Sequence, residues 1–316
     1  MPDNRNNRIA RLVSQRTFEV KSERVPEPEE GRVLVRVVAC GVCASELHAW
    51  EDPLPEYPIT MGHEPVGVVE EAGAGEGGFS VGDMVTGRFG PTFCDYLLVD
   101  PRDLVAVPAG LGIEDAMGEP LGCVVEGFRR TPLELGDRVA VVGAGYMGAL
   151  MLELLRVGGL GPIVAIDPRP DARRLAVELG AGEAYDPADP PIGELTGAFD
   201  VVIESSGTQS GLDLATEMVR EHGAISILGF HQGARRSVDV EAWNWKAIDV
   251  INAHVRRRDL LNDAIRRGLE LVQQGRIRPA RLVTHRSGLE GIDDAFRALS
   301  SKPEGFVKAV VVNERA

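Results

Sequence analysis

Four side chains with metal-binding chemistry stand in short, glycine-marked segments of this chain: Cys43, His63, Glu64 and Glu119. Zinc takes thiolate, imidazole and carboxylate ligands, and a catalytic zinc uses three of them and leaves one position open. Cys43, His63 and Glu119 would supply one of each, with Glu64 beside His63 as an alternative ligand. Ser45 and His48 suit the neighbourhood of such a metal. Oxidising an alcohol removes a hydride and the hydroxyl proton, and a serine hydroxyl can pass that proton towards a histidine near the surface. Singly, each residue has a plainer reading: His63 a structural histidine, Glu119 a helix-start charge, Ser45 a turn residue, His48 a solvated side chain. The combination points to a site.

The remaining cysteines carry less. Cys40 and Cys43 form a C-x-x-C, but no thioredoxin-like strand and helix surround it. A structural Cys₄ zinc needs a second close pair, which Cys94 and Cys123 do not form. Cys40 and Cys94 are expected to fill core space. Four cysteines without an export signal read as reduced thiols of a cytoplasmic protein.

A second chemistry lies in 137–148, DRVAVVGAGYMG. The apolar run 139–142 has strand length and leads into a G-x-G-x-x-G made by Gly143, Gly145 and Gly148, with Tyr146 and Met147 between. The first glycine permits the tight turn, the second lets backbone N–H groups approach a pyrophosphate, and the third lets helix pack on strand. The helix-forming stretch 149–155 follows, so the pyrophosphate would meet a helix N-terminus. A second apolar run, 163–166, ends in Asp167, placed to accept hydrogen bonds from an adenosine ribose. Its charge would repel a 2′-phosphate and favours NAD over NADP. The nearby Arg169, Arg173 and Arg174 weaken that preference.

These residues need two scaffolds, and 316 residues suffice for both. Up to about residue 110, short strands alternate with glycine turns, as in a twisted β-rich domain. The middle third alternates strand and helix through 200–204, 224–229 and 248–251, the pattern of a doubly wound parallel sheet. Apolar positions in 260–274 recur at helical spacing, and 306–312 is a strand whose expected partner is the first domain. The reading is therefore an α/β protein with a discontinuous β-rich domain (1–122 and 256–316) around a Rossmann domain (123–255). The net charge of −14 argues against nucleic acid or anionic membrane as partner. No apolar run approaches the ~20 residues of a bilayer span. The polar start MPDNRNNRIARL reads as a flexible arm.

Together these motifs resemble the medium-chain dehydrogenase/reductase superfamily, in particular its zinc-dependent alcohol and polyol dehydrogenases. The resemblance runs along nearly the whole chain. It takes in 41–48, Gly62-His63-Glu64, Gly82-Asp83, Glu119-Pro120-Leu121, the glycine loop, Asp167, 200–204, 282–285 and the closing Gly305-Phe306-Val307-Lys308. It implies a GroES-like catalytic domain, a Rossmann domain, NAD(P)-dependent hydride transfer and a dimer or tetramer. It further implies Cys43, His63 and Glu119 as catalytic zinc ligands beside Glu64, and Ser45 and His48 as a proton relay. Lys308 resembles the basic residue that reaches the cofactor phosphates.

Three departures stand out. The lobe of four cysteines that binds a structural zinc is missing, since Val85-Thr86-Gly87 runs almost directly to Phe93-Cys94-Asp95-Tyr96; one catalytic zinc and no structural zinc are expected. Glu46 replaces the usual aspartate behind the zinc-bound histidine, and Pro65 replaces the usual glycine. Gly229-Phe230-His231-Gln232-Gly233 and Trp243-Asn244-Trp245-Lys246 set the chain in a branch whose substrates the sequence does not name. The expected activity is zinc- and NAD-dependent dehydrogenation of a secondary alcohol in a polyol, sugar or cyclitol. The alternatives are a redox-neutral NAD/zinc epimerase, a metal-free NADPH-dependent reductase and a nucleotide-binding sensor without turnover.

Overall fold

The computed structural model describes residues 6–27, 29–72, 78–188 and 190–313, with only the backbone of 190–192. Its chain divides into two units, Met1–Gly122 with Arg257–Ala316, and Cys123–Arg256.

The first unit opens with β1 (Asn6–Ser14), β2 (Thr17–Arg24) and β3 (Val33–Gly41), then the short α1 (Leu47–Glu51). It continues through β4 (Ile59–Thr60), β5 (Glu64–Ala72), β6 (Met84–Gly87), β7 (Tyr96–Val99) and β8 (Leu104–Ala106) to the start of α2 (Gly118–Arg130), whose residues from Cys123 onward belong to the second unit. The polar N-terminal arm is a correction: from Asn6 onward it is strand, not flexible chain. Its polar residues have partners. Asn7 exchanges two hydrogen bonds with the Tyr96 backbone, at 3.0 and 2.9 Å, and the Arg8 guanidinium forks onto Asp95 at 2.9 Å. Residues 1–5 of that arm lie outside the described residues.

The second unit holds β9 (Val139–Val142), α3 (Tyr146–Val157), β10 (Ile163–Ile166), α4 (Pro170–Leu179) and β11 (Glu183–Tyr185). It then adds β12 (Phe199–Glu204), α5 (Gln209–Met218), β13 (Val219–Ile227), α6 (Val240–Lys246) and β14 (Asp249–Asn252). Its six strands are all parallel, in the order β11-β10-β9-β12-β13-β14. Every residue of β9 and β10 is buried, which is why their sequences are unbroken apolar runs rather than alternating ones. Each such valine or isoleucine contributes roughly 1.5–3 kcal/mol by leaving water.

The chain returns to the first unit with α7 (Arg258–Gln273), β15 (Val283–Ser287), α8 (Ile292–Ser301) and β16 (Lys308–Val312). β16 enters the main sheet between β15 and β3, giving the order β15-β16-β3-β5-β6-β8, with β7 also on β3. Under α8, Phe18, Trp50, Phe93 and Phe296 pack as one aromatic cluster, and the Trp50 indole donates to Asp293 at 3.1 Å. This cluster anchors α1, the element that carries His48, against the unit's core.

Candidate active site

The end of β3 and the start of β5 are register neighbours, Gly41 opposite Glu64. The loop leaving β3 carries Cys43, and the residue entering β5 is His63, so two distant segments deliver their donors to one place. The donor atoms of Cys43, His63 and Glu64 lie within 4.8 Å of one another, the one such group of three among the described residues. Thiol, imidazole and carboxylate at that spacing match the mixed donor set that zinc takes, and three donors leave a position open. Glu119, expected as the carboxylate ligand, is buried in the first turn of α2 and is not part of this group. Glu64 is the carboxylate of this group because backbone pairing to β3 fixes it beside the Cys43 loop.

Glu46 supports the cluster. Its Oε1 lies 3.0 Å from His63 Nδ1 and accepts the Gly62 N–H at 2.8 Å, and its Oε2 accepts the Cys43 N–H at 3.3 Å. One carboxylate therefore ties both ligand-bearing segments and leaves His63 Nε2 as the ring atom for a metal. The extra methylene of glutamate over the usual aspartate does not prevent this bridge.

Behind the cluster lies a buried cation. Lys308 Nζ pairs with Glu64 Oε2 at 2.5 Å and donates to the Val42 carbonyl at 3.0 Å. The family resemblance implies Lys308 at the cofactor phosphates; in the structure its ammonium is buried against Glu64, with 4% of the residue exposed. The pair leaves no spare room: a Cβ on Gly41 would lie 2.1 Å from Glu64 Oε2 and 3.0 Å from Lys308 Cε.

The titration of these groups follows from their crowding. Burial works against the His63 imidazolium, but hydrogen bonds and charge from Cys43 and Glu46 outweigh it and push the pKa up to about 12. Burial, then the charge of Glu64, raises the Cys43 thiol. Burial opposes ionisation of Glu64, while the charges of Lys308 and then His63 hold its carboxyl below the usual range. Without a metal the donors thus depend on protons and on Lys308 to balance charge.

Ser45 Oγ donates to Cys43 Sγ at 3.2 Å, so the serine of the expected relay sits at the ligand cluster. His48 is half exposed and pairs with Asp52 one helical turn on. No hydrogen bond joins Ser45 to His48 among the described residues.

In the second unit, Gly143 takes φ +94°, turning the chain from β9 beneath Ser206. A Cβ on Gly148 would lie 2.0 Å from the Gly143 carbonyl oxygen, whereas one on Gly145 would meet nothing within 4 Å. Gly145 therefore faces open space at the α3 N-terminus, a cradle that a side chain would fill and a pyrophosphate can occupy. Gly145, Tyr146 and Met147 keep partial exposure there, while Gly148 is buried. Asp167 leaves β10 beside the loop, with Oδ2 accepting the Ala144 N–H at 2.9 Å and Oδ1 accepting the Arg169 N–H at 2.9 Å. Arg173 is committed to the carbonyls of Asp167 and Pro168 and to Asp186.

The sequence reading missed two features: the partnership of Lys308 with Glu64, and a buried Glu204 hydrogen-bonded to His231 at 2.7 Å. Neither pair is near in sequence or carries a recognisable spacing.

The chain is similar to known dehydrogenases along most of its length. Residues 29–123 match the alcohol dehydrogenase GroES-like domain, and residues 147–272 match the zinc-binding dehydrogenase domain. The chain is 28% identical to (R,R)-butanediol dehydrogenase of Bacillus subtilis, over 96% of this chain and 99% of that protein. It is 27% identical to a sorbitol dehydrogenase of Halalkalibacterium halodurans, over 90% of this chain and 93% of that one. A Sinorhizobium meliloti protein whose crystal structure holds NADP superposes with a TM-score of 0.86 at 26% identity, covering 98% of this chain and all of that one.

Proposed function

The chain belongs to the medium-chain dehydrogenase/reductase superfamily as a zinc-binding dehydrogenase, and from that premise we propose that it interconverts a secondary alcohol and its ketone in a polyol, sugar or cyclitol. The observation that carries the reading is the convergence of Cys43, His63 and Glu64. Zinc supplies Lewis acidity that lowers the pKa of a substrate hydroxyl, and the nicotinamide cofactor supplies hydride exchange. Cys43, His63 and Glu64 hold the metal, and Glu46 fixes the His63 ring. Ser45, beside the thiol, is placed to take the hydroxyl proton, and His48 leads it to solvent once the two are brought together. Glu119 supplies no ligand in this reading. A single catalytic zinc is proposed, with no structural zinc. Relatives that act on sorbitol and butanediol support a substrate with neighbouring hydroxyls.

Gly143, Gly145, Tyr146, Met147 and Gly148 would hold the pyrophosphate of the dinucleotide, and Asp167 would hold its adenosine ribose. NAD is the proposed partner. A 2′-phosphate would meet the Asp167 carboxylate, and Arg173 is already spent on Asp186 and two carbonyls. The metal-free reductase is disfavoured by the intact donor cluster, and an epimerase would leave no NADH behind.

The test is metal analysis combined with NADH formation from NAD and a panel of polyols, on wild type and Cys43→Ala. The expected result is one zinc per chain, faster turnover with NAD than NADP, and loss of both metal and activity in Cys43→Ala. Full activity in Cys43→Ala would overturn the zinc reading.

A further inference from the structure

The strands of the second unit end in one row. Ile166, Val142, Glu204, Ile227 and Asn252 are successive register neighbours across β10, β9, β12, β13 and β14. Strand order reverses between β9 and β12, and at such a switch point the ligand crevice lies outside the carboxyl ends. Asp167 stands on the β10 side of the glycine loop. The other half of a dinucleotide must then run towards β12, β13 and β14, over the segments that begin at Ser205, Leu228 and Ala253.

That edge holds a buried carboxylate joined to a histidine. Glu204 is fully buried at the end of β12, where a carboxylate is tolerated only with its hydrogen bonds made. Oε1 accepts the N–H groups of Ser206 and Gly207 at 2.8 and 3.0 Å, along with the Ser206 hydroxyl. Oε2 lies 2.7 Å from His231 Nε2. Arg236 Nε lies 3.2 Å from His231 Nδ1, and its Nη2 donates to the carbonyls of Gly207 and Gln232 at 3.1 and 3.2 Å. A guanidinium only donates, so His231 Nδ1 accepts and the ring's proton sits on Nε2, facing Glu204. Donation therefore runs from Arg236 to His231 to Glu204, and the 206–207 amides donate to the same carboxylate from the other side.

The packing requires the same closeness. A Cβ on Gly229 would lie 2.5 Å from the Gly207 nitrogen and 2.8 Å from Glu204 Oε2. Next to it, the half-exposed Phe230 stacks edge-on against His254, whose Nε2 reaches the Gly229 carbonyl at 3.2 Å.

We propose that His231 is a positioning residue for the nicotinamide half of the cofactor: bridging Glu204 and Arg236, it locks the loops after β12 and β13 into one wall that bears Phe230. The proposal rests on the dinucleotide reading above. His231 acts through Glu204 and the two loops, and the Gly229–His231 segment, which the family resemblance left without a task, becomes part of the cofactor site.

The test is calorimetric titration of the full chain with NADH and with ADP, which lacks the nicotinamide half, together with KM for NAD and kcat. Variants are His231→Leu, His231→Gln and Arg236→Leu. Leaving Glu204 without its partner is expected to weaken NADH about tenfold or more in His231→Leu. ADP affinity is expected to fall less than NADH affinity, because ADP ends at the glycine loop and does not reach the wall that bears Phe230. His231→Gln, whose amide both donates and accepts, should restore NADH binding. Arg236→Leu, at the solvent end of the chain, should move NADH in the same direction by less and serves if His231→Leu does not fold. Equal weakening of NADH and ADP, unchanged NADH binding, or no rescue by glutamine would each overturn the proposal. A wild-type chain that binds neither nucleotide would overturn the dinucleotide reading itself, which is a separate failure.

Discussion

Replacing Lys308 by methionine keeps the volume and removes the charge that balances Glu64. Lys308 and Glu64 expose 5% and 2% of their side chains, so little solvent is available to replace the lost partner. Breaking a buried pair from one side costs about 3–5 kcal/mol, because the other charge stays buried and uncompensated. The sign follows from Glu64. Its carboxyl is held below the usual range, Lys308 opposing burial, so it contributes stability above the unfolded carboxylate pKa and loses it as pH falls through the folded value. Without Lys308 the folded pKa rises, and the stability present at neutral pH is lost. For a unit of this size each kcal/mol corresponds to roughly 2–4 °C, giving a fall of roughly 6–20 °C in the Tm of the metal-free protein. A divalent ion at Cys43, His63 and Glu64 returns positive charge to the same carboxylate, so the zinc-loaded protein should lose less. Differential scanning calorimetry of chelator-treated and zinc-loaded samples measures both. The increment in Tm on adding zinc should be larger in Lys308→Met than in wild type. Equal losses with and without zinc, or no loss, would refute the argument that Lys308 and a metal balance one charge.

Two further outcomes follow from the same cluster. Glu46→Gln keeps the size of the bridge between His63 and the Cys43 loop but removes its charge, and zinc affinity, read by chelator competition, should fall about 10–100-fold. Because the Cys43 and His63 pKa values are both raised, each group holds a proton at neutral pH in the metal-free site, and zinc must displace those protons. Zinc should therefore bind more tightly as pH rises, with about one to two protons released per ion in calorimetry across buffers of different ionisation enthalpy. A pH-independent affinity would contradict this.

Features legible in the sequence are those set by local spacing. The glycine loop, its strand and its helix are contiguous, and Gly143 and Gly148 have their steric reasons one strand away and within a few residues, while Gly145 keeps open space. The unbroken apolar runs of β9 and β10 announce burial on both faces, and Asp167 follows from the strand it ends. Cys43, His63 and Glu64 were all readable as donors by type. Which carboxylate joins the thiol and the imidazole was not, because Glu64 and Glu119 have the same chemistry and only strand pairing to β3 separates them. The tertiary structure alone placed Lys308 on Glu64, 244 positions away in the chain, and closed the Glu204–His231 pair across a sheet edge. It also turned a polar N-terminal stretch into a strand by supplying Tyr96 and Asp95 as partners. A buried charge must be met by whatever the fold brings to it, and that partner carries no mark in the linear order.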